Sequence, residues 1–192
     1  LSLINQDHKQ VEQLLNVLTQ QLAQIESEQQ GVNFSLMGDI VHYLRNYIDK
    51  YHHPKEDLIY AYYLENYVTD VDTPNRLATE HQSLNFLCRD LCHSLNIIQL
   101  DSVMPFEELA TQLRHFIEKQ RAHIEFEESA VLPAIVKLFT PDDWCHINHL
   151  WRNGDLQDCE TNALFLDAYK NLHNRMMDAG FAEQDSAEIA LI

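Results

Sequence analysis

The chain has 192 residues, 45% of them hydrophobic, and carries 30 Asp and Glu against 13 Lys and Arg, for a net charge of -17. That length and apolar content support one packed domain, with or without an extension, and exclude a disordered or collagen-like chain. A surface this acidic repels nucleic acid and anionic membranes, so neither is expected as a partner.

Only 4 Gly and 5 Pro are present, so turns are few and long helices are favoured over many short strands. The first helix reads Ile4, His8, Val11, Leu15, Leu18, Leu22 and Ile25, steps of four and three with one polar intruder. Gly31 follows in a break. The second helix runs from about Leu36 to about Tyr67, with Val41, Leu44, Ile48, Ile59 and Tyr62 on one face. Residues 69–74 read as a turn, with Thr73 as N-cap and Pro74 at the first helical position. The third helix carries Leu77, His81, Leu84, Cys88, Leu91 and Leu95. After a break at 101–105, the fourth runs from about Phe106 to about Phe139, with Leu109, Leu113, Phe116, Val131, Ala134 and Leu138 inward.

Short connections between long helices make neighbours antiparallel. The predicted fold is therefore all-α, an up-down-up-down four-helix bundle over residues 1–140. Residues 141–192 form a C-terminal helical extension. It contains a short helix from Asp142 to Trp151, a break at Asn153-Gly154, and an amphipathic helix from Gln157 to about Asp178 with Leu164, Phe165, Ala168, Tyr169, Leu172 and Met176. Such an extension packs on the bundle or forms a homodimer contact. No apolar run approaches the roughly 20 residues that span a bilayer, and no signal peptide is visible. The four cysteines form no C-x-x-C and read as reduced thiols in a cytoplasmic protein, Cys88 as a small core residue. The chain opens at Leu1 rather than Met, which leaves room for a segment upstream.

The anomaly is histidine, with 11 residues. His8 and His81 sit in the apolar seams of their helices. In the run HHPKED at 52–57, regular helical geometry of about 100° per residue puts His52 and Glu56 within about 60° of the apolar face. The same geometry turns His53 and Asp57 more than about 100° away, toward solvent. In HIEFEE at 123–128, His123 faces inward and pairs with Glu127 or Glu128. Glu127 lies on the apolar face, and Glu128 is kept as an outer partner. His42, His93 and His115 point outward, as does His53 on this reading. His146 and His149 beside Cys145 read as surface residues. Tyr63 lies on the metal-facing side of the second helix, where core packing is its expected role.

The depths agree. His8 lies about 19 residues before the end of its helix, and His52 about 17 after the start of the next. His81 and His123 stand at about 17 and 18 from theirs. Pro54 is a natural place for a bend. Four histidines and two glutamates converging on an apolar core, with no inward Lys or Arg, make a cation site that suits Fe, Mn, Zn or Cu. The predicted metal ligands are His8, His52, Glu56, His81, His123 and Glu127, and His53 is predicted to be dispensable.

Asp7-His8, HHPKED, Glu80-His81 and HIEFEE occur in an order and spacing that resemble the hemerythrin-like HHE cation-binding family over about residues 1–140. The resemblance implies two non-haem iron ions, for which Mn or Zn could substitute. It makes the four histidines terminal ligands and Glu56 and Glu127 bridges. It also implies a small diatomic ligand or peroxide as partner. Oxygen-carrying members place two histidines one turn apart on the third helix, whereas here Asn85 follows His81. Four His and two Glu are closer to the branch that repairs iron–sulfur centres under nitric oxide or peroxide stress, whose members usually carry a cysteine-bearing domain before the bundle. A non-enzymatic sensor or iron-binding module that signals through the C-terminal helices is the alternative. A bundle without metal is a third, and it predicts that His52→Leu or His123→Leu stabilises the fold. Ferritin-like oxidases need E-x-x-H, which the chain lacks.

Overall fold

A computed structural model describes residues 2–68, 72–100, 104–153 and 159–181. Among these the secondary structure is helical, without strands. Helix α1 is Ser2–Glu26. Helices α2 (Phe34–Tyr47) and α3 (His53–Tyr67) form one continuous rod, joined by the π-turn Ile48–His52. Helix α4 is Asp72–Gln99. Helices α5 (Phe106–Phe126) and α6 (Leu132–Leu138) form a second such rod, joined by the π-turn Glu127–Val131. Helices α7 (Pro141–Asn153) and α8 (Cys159–Asp178) follow. Helix α4 starts at Asp72, ahead of the predicted cap at Thr73, and residues 69–71 lie outside the described part. So do residues 101–103 of the next predicted break, and Gly154 with the start of the last predicted helix.

The seam read from α1 is buried at every position from Ile4 to Ile25, and so is that of α4 from Leu77 to Leu95. Helix α1 packs on α2 and α5, and α4 packs on α2 and α5, so four rods enclose one core. Leu14, Leu18, Met37, Leu44, Leu91 and Phe116 are among its fully buried side chains. No helix among the described residues is long and apolar enough to cross a membrane.

Both π-turns end two residues before a proline. The His53 amide donates to the Ile48 carbonyl ahead of Pro54, and the Leu132 amide to the Glu127 carbonyl ahead of Pro133. Proline has no N–H to give, and its ring crowds the carbonyl four residues back. Widening the preceding turn to an i→i−5 bond relieves that crowding without breaking the rod. The extra residue re-aims everything after it. Of the predicted inward set, Val131 is buried, Ala134 is half-buried and Leu138 is exposed, while Leu132, Ile135 and Phe139 are buried. In α3 Ile59 is buried as expected, Tyr60 joins it, and Tyr62 and Tyr63 are half-buried.

Helices α7 and α8 lie against the bundle. Thr140 and Asp143 form a capping box at the start of α7: the Thr140 amide donates to Asp143 Oδ2 (2.6 Å), and the Asp143 amide to Thr140 Oγ1 (3.3 Å). Asp143 also accepts from the hydroxyls of Tyr62 (2.5 Å) and Tyr67 (2.6 Å), fastening α7 to α3. Helix α8 rests on α2 through Phe165 and Tyr169, with Leu172 and Met176 buried. The predicted inward positions Leu164 and Ala168 are exposed instead.

Candidate metal centre

The rods bring all six predicted ligands to one buried place, and they add His53. Two groups of donors can be drawn, each with its atoms within 4.8 Å of one another. The first contains His8, His52, Glu56 and Glu127. The second contains His53, Glu56, His81 and His123. Glu56 Oε1 lies 3.4 Å from His8 Nε2 and 3.2 Å from His52 Nε2, and its Oε2 lies 3.6 Å from His81 Nε2. Glu127 Oε2 lies 3.3 Å from His8 Nε2, and its Oε1 lies 3.5 Å from His123 Nε2 and 3.7 Å from His81 Nε2. Each carboxylate thus turns one oxygen to each group.

His53 is a correction to the sequence reading, which turned it to solvent. It is 5% exposed, and its ring stacks on His81 with centroids 3.9 Å apart and planes 13° apart. The π-turn at 48–52 is the cause. Regular 100° steps turn His53 away from the apolar face, and the widened turn rotates it back to the core beside His52.

The outer nitrogens of four imidazoles follow one rule. His52 Nδ1 meets Asp7 (3.3 Å), His81 Nδ1 meets Asp57 (2.9 Å), His123 Nδ1 meets Glu80 (3.1 Å), and His8 Nδ1 meets Glu128 (3.0 Å). Each rod's histidine is held by a carboxylate from the rod before it, and the last rod holds the first. A carboxylate on Nδ1 draws the ring proton there and leaves Nε2 with a lone pair facing the core. His53 Nδ1 stands 4.0 Å from Asp49. Tyr47 adds a hydrogen bond to Asp7 (2.7 Å), Arg76 one to Glu80 (2.8 Å), and Tyr60 one to Glu127 Oε1 (2.7 Å).

Eight buried side-chain polar atoms among the described residues lack a hydrogen-bond partner, and seven of them meet here: Nε2 of His8, His53, His81 and His123, both oxygens of Glu56, and Glu127 Oε2. The His–Glu separations are short enough for ion pairs, yet these atoms make no well-formed hydrogen bonds. An imidazole lone pair and a carboxylate oxygen are both acceptors and cannot satisfy each other. Leaving such atoms unmet costs about 1–3 kcal/mol each, more when charged. Either protons or cations must fill the gap.

Protons fill it in the metal-free chain. Burial works against charging His8, but the carboxylates of Glu127 and Glu56 outweigh it and raise its pKa to about 10. His52 and His81 are raised to about 9 against the same burial, His52 by Glu56 and Asp7, His81 by Asp57 and Glu127. Glu56 is held well below the usual carboxylate range, as burial is overcome by His52 and His8. Glu127 falls to about 2, against burial and Glu56, through His8 and His81. His53 goes the other way: burial, then the neighbouring His81, His52 and His123, keep it neutral. A cation offers every one of these lone pairs a partner, so the donor set fits a metal.

Beyond His53, reasoning from the sequence missed Tyr60, which takes the place given to Tyr63, and the pairing of Asp57 with His81. Pro54, directly after His53, was the available signal. His42, His93 and His115 are exposed, as expected.

A family model, the Hemerythrin HHE cation binding domain, matches residues 1–135. The chain belongs to that family and is a cation-binding protein. No curated protein and no solved structure matches it.

Proposed function

We propose that the chain is a cytoplasmic non-haem di-iron protein that binds or reacts with a small ligand (oxygen, nitric oxide or peroxide) in stress response or iron–sulfur repair. We read residues 1–140 as an up-down-up-down bundle and residues 141–192 as its extension. The observation that carries the metal reading is the pair of carboxylates, each dividing its two oxygens between two histidine groups. Glu56 and Glu127 would bridge. His8 and His52 would complete one metal position, and His53, His81 and His123 the other. An iron pair would supply one-electron redox steps and a coordination position for the ligand.

The chain's own residues hold the rings, keep water out and set the charge. The four Nδ1 carboxylates fix the imidazoles. Tyr60 donates to Glu127 Oε1 and weakens that oxygen as a donor toward the three-histidine side. The unequal histidine count leaves the two-histidine side more open. Elemental analysis of protein from iron-supplemented cells tests the reading: close to two irons per chain is the expected result. No metal, with a fold indifferent to chelator, would overturn it.

The alternative is a non-enzymatic sensor or iron module signalling through the C-terminal helices. One contact chain favours it. His52 meets Asp7, Asp7 accepts from Tyr47, and the Tyr47 ring packs edge-on against Phe165 of α8 at 5.3 Å. Repeated consumption of nitric oxide or peroxide with a reductant marks the enzyme. One-time binding with a change in α8 protection from hydrogen exchange marks the sensor.

A further inference from the structure

Two cysteines lie outside the metal centre and are not used by it. Cys88 and Cys92 stand one turn apart on the face of α4 that meets α2, and both are buried. Cys88 Sγ donates to the Val41 carbonyl at 3.6 Å. The two thiols act on each other, and Arg45 of α2 favours charge on them while Asp49 opposes it. Cys88 is two turns, about 10.5 Å along the axis, from His81.

Spacing decides what such a pair can do. Side chains at i and i+4 of a helix hold their Cβ atoms about 5–6 Å apart. A disulfide wants about 3.5–4.5 Å, so closing one would distort the turn. A metal ion between the sulfurs suits the wider gap. Two bonds of about 2.3 Å, the zinc–thiolate length, set sulfurs up to about 4.6 Å apart across one ion.

Ligand number then selects the ion. Zinc asks for four donors. Among the described residues, the clusters of three or more metal-binding side chains are the two at the bundle centre, so no third ligand of that kind stands beside Cys88 and Cys92. A soft cation content with two sulfurs remains, and thiolates select copper(I). Charge agrees: two thiols lose two protons on taking up one copper(I), the complex is a monoanion, and Arg45 beside Cys92 is its counter-charge. The Cys92 thiol is lowered to about 7, by Cys88 first and then by Arg45, against burial and Asp49, while Cys92 and burial push the Cys88 thiol up, so the copper ion must displace that second proton.

We propose that Cys88 and Cys92 form a second metal site, a buried two-coordinate position for copper(I). The proposal is independent of the identity of the metal at the bundle centre.

The test is an anaerobic titration with copper(I) against a colorimetric copper(I) chelator. It uses protein preloaded with zinc at the bundle centre, in a C145S/C159S background. One retained equivalent is expected, with copper X-ray absorption reporting two sulfur neighbours. C88S and C92S should each weaken retention by at least about 100-fold. Copper retention equal to the parent in both C88S and C92S would overturn the proposal. So would a Cys88–Cys92 disulfide that forms on simple exposure to air. Should the serine variants unfold, alkylation of the unmutated protein decides. Copper(I) must shield Cys88 and Cys92, but not Cys145, from iodoacetamide, and equal labelling with and without copper refutes the site.

Discussion

His53→Leu separates a metal ligand from a packed core histidine, because the two roles demand opposite signs in the two forms of the protein. In the metal-free chain His53 is a buried neutral imidazole whose Nε2 has no partner, and it stacks on His81, which is raised to about 9. A leucine of similar volume removes that unmet atom and the histidine that discourages charge on its neighbour. An unsatisfied buried group costs about 1–3 kcal/mol. Even the lower end, about 1 kcal/mol, raises the melting temperature by about 2–4 °C for a chain of this size. With metal present the sign reverses. Loss of an outer partner of a metal ligand already costs about 10–100-fold in affinity. Loss of a direct donor should reach at least the upper figure, about 2.7 kcal/mol, for one of two ions. The assay is melting with and without metal, together with metal per chain during a chelator titration. The expected variant melts higher when stripped, melts lower when loaded, and gives up one ion at least about 100-fold more readily. A variant that keeps both ions at parental affinity, or melts lower by the same amount in both forms, would refute the argument.

Glu56→Ala or Glu127→Ala should abolish binding of the second ion, since each takes one oxygen from both groups; elemental analysis gives the count. Asp7→Asn and Glu80→Gln should each lower metal affinity by about 10–100-fold with little loss of fold, read by chelator competition and circular dichroism. Tyr60→Phe removes a hydrogen bond to a charged oxygen and should destabilise the chain by about 1.5–3 kcal/mol, measured by urea unfolding. The pH dependence should reverse between forms. His8, His52 and His81 carry raised pKa values, so their contribution is complete below about 6.5 and lost as pH rises through about 9–10. Glu56 and Glu127 carry lowered ones, so theirs is complete above about 4.5 and lost as pH falls toward about 2. Neutral His53, whose pKa is lowered by burial, withdraws its contribution as pH falls below about 6.5, so metal-free protein should melt highest in a narrow window near pH 6.5. Metal-loaded protein should gain stability above that window, because the ions replace those protons. A stripped protein whose melting point rises steadily from pH 6 to 10 would contradict these assignments.

Much of the molecule is readable from periodicity. The seams of α1 and α4 obey regular steps of three and four, so their inward histidines, His8 and His81, could be found by counting. His52, His123 and Glu127 could also be found, because each lies before or within its π-turn; Glu56 was found too, although it lies four residues past its turn. Acidity next to the ligands was visible too, in Asp7-His8 and Glu80-His81. What counting could not assign was the partner: Asp7 serves His52 rather than its neighbour His8, and Glu80 serves His123. Those pairings cross between rods and depend on how the rods are rotated against each other.

The sequence by itself determined an all-helical chain with inward histidines and carboxylates, because burial of an apolar stripe at a period near 3.6 leaves little freedom. Only the tertiary structure decided the fifth histidine and the faces beyond each proline. A single extra residue in a turn rotates every later side chain, and local pattern does not record it. The same holds for α8, where the seam read as Leu164 and Ala168 is exposed while Leu172 and Met176 are buried. A short amphipathic helix buries whichever part of its stripe its neighbours reach, and that is settled by docking on Tyr43 and Tyr47 rather than by its own sequence.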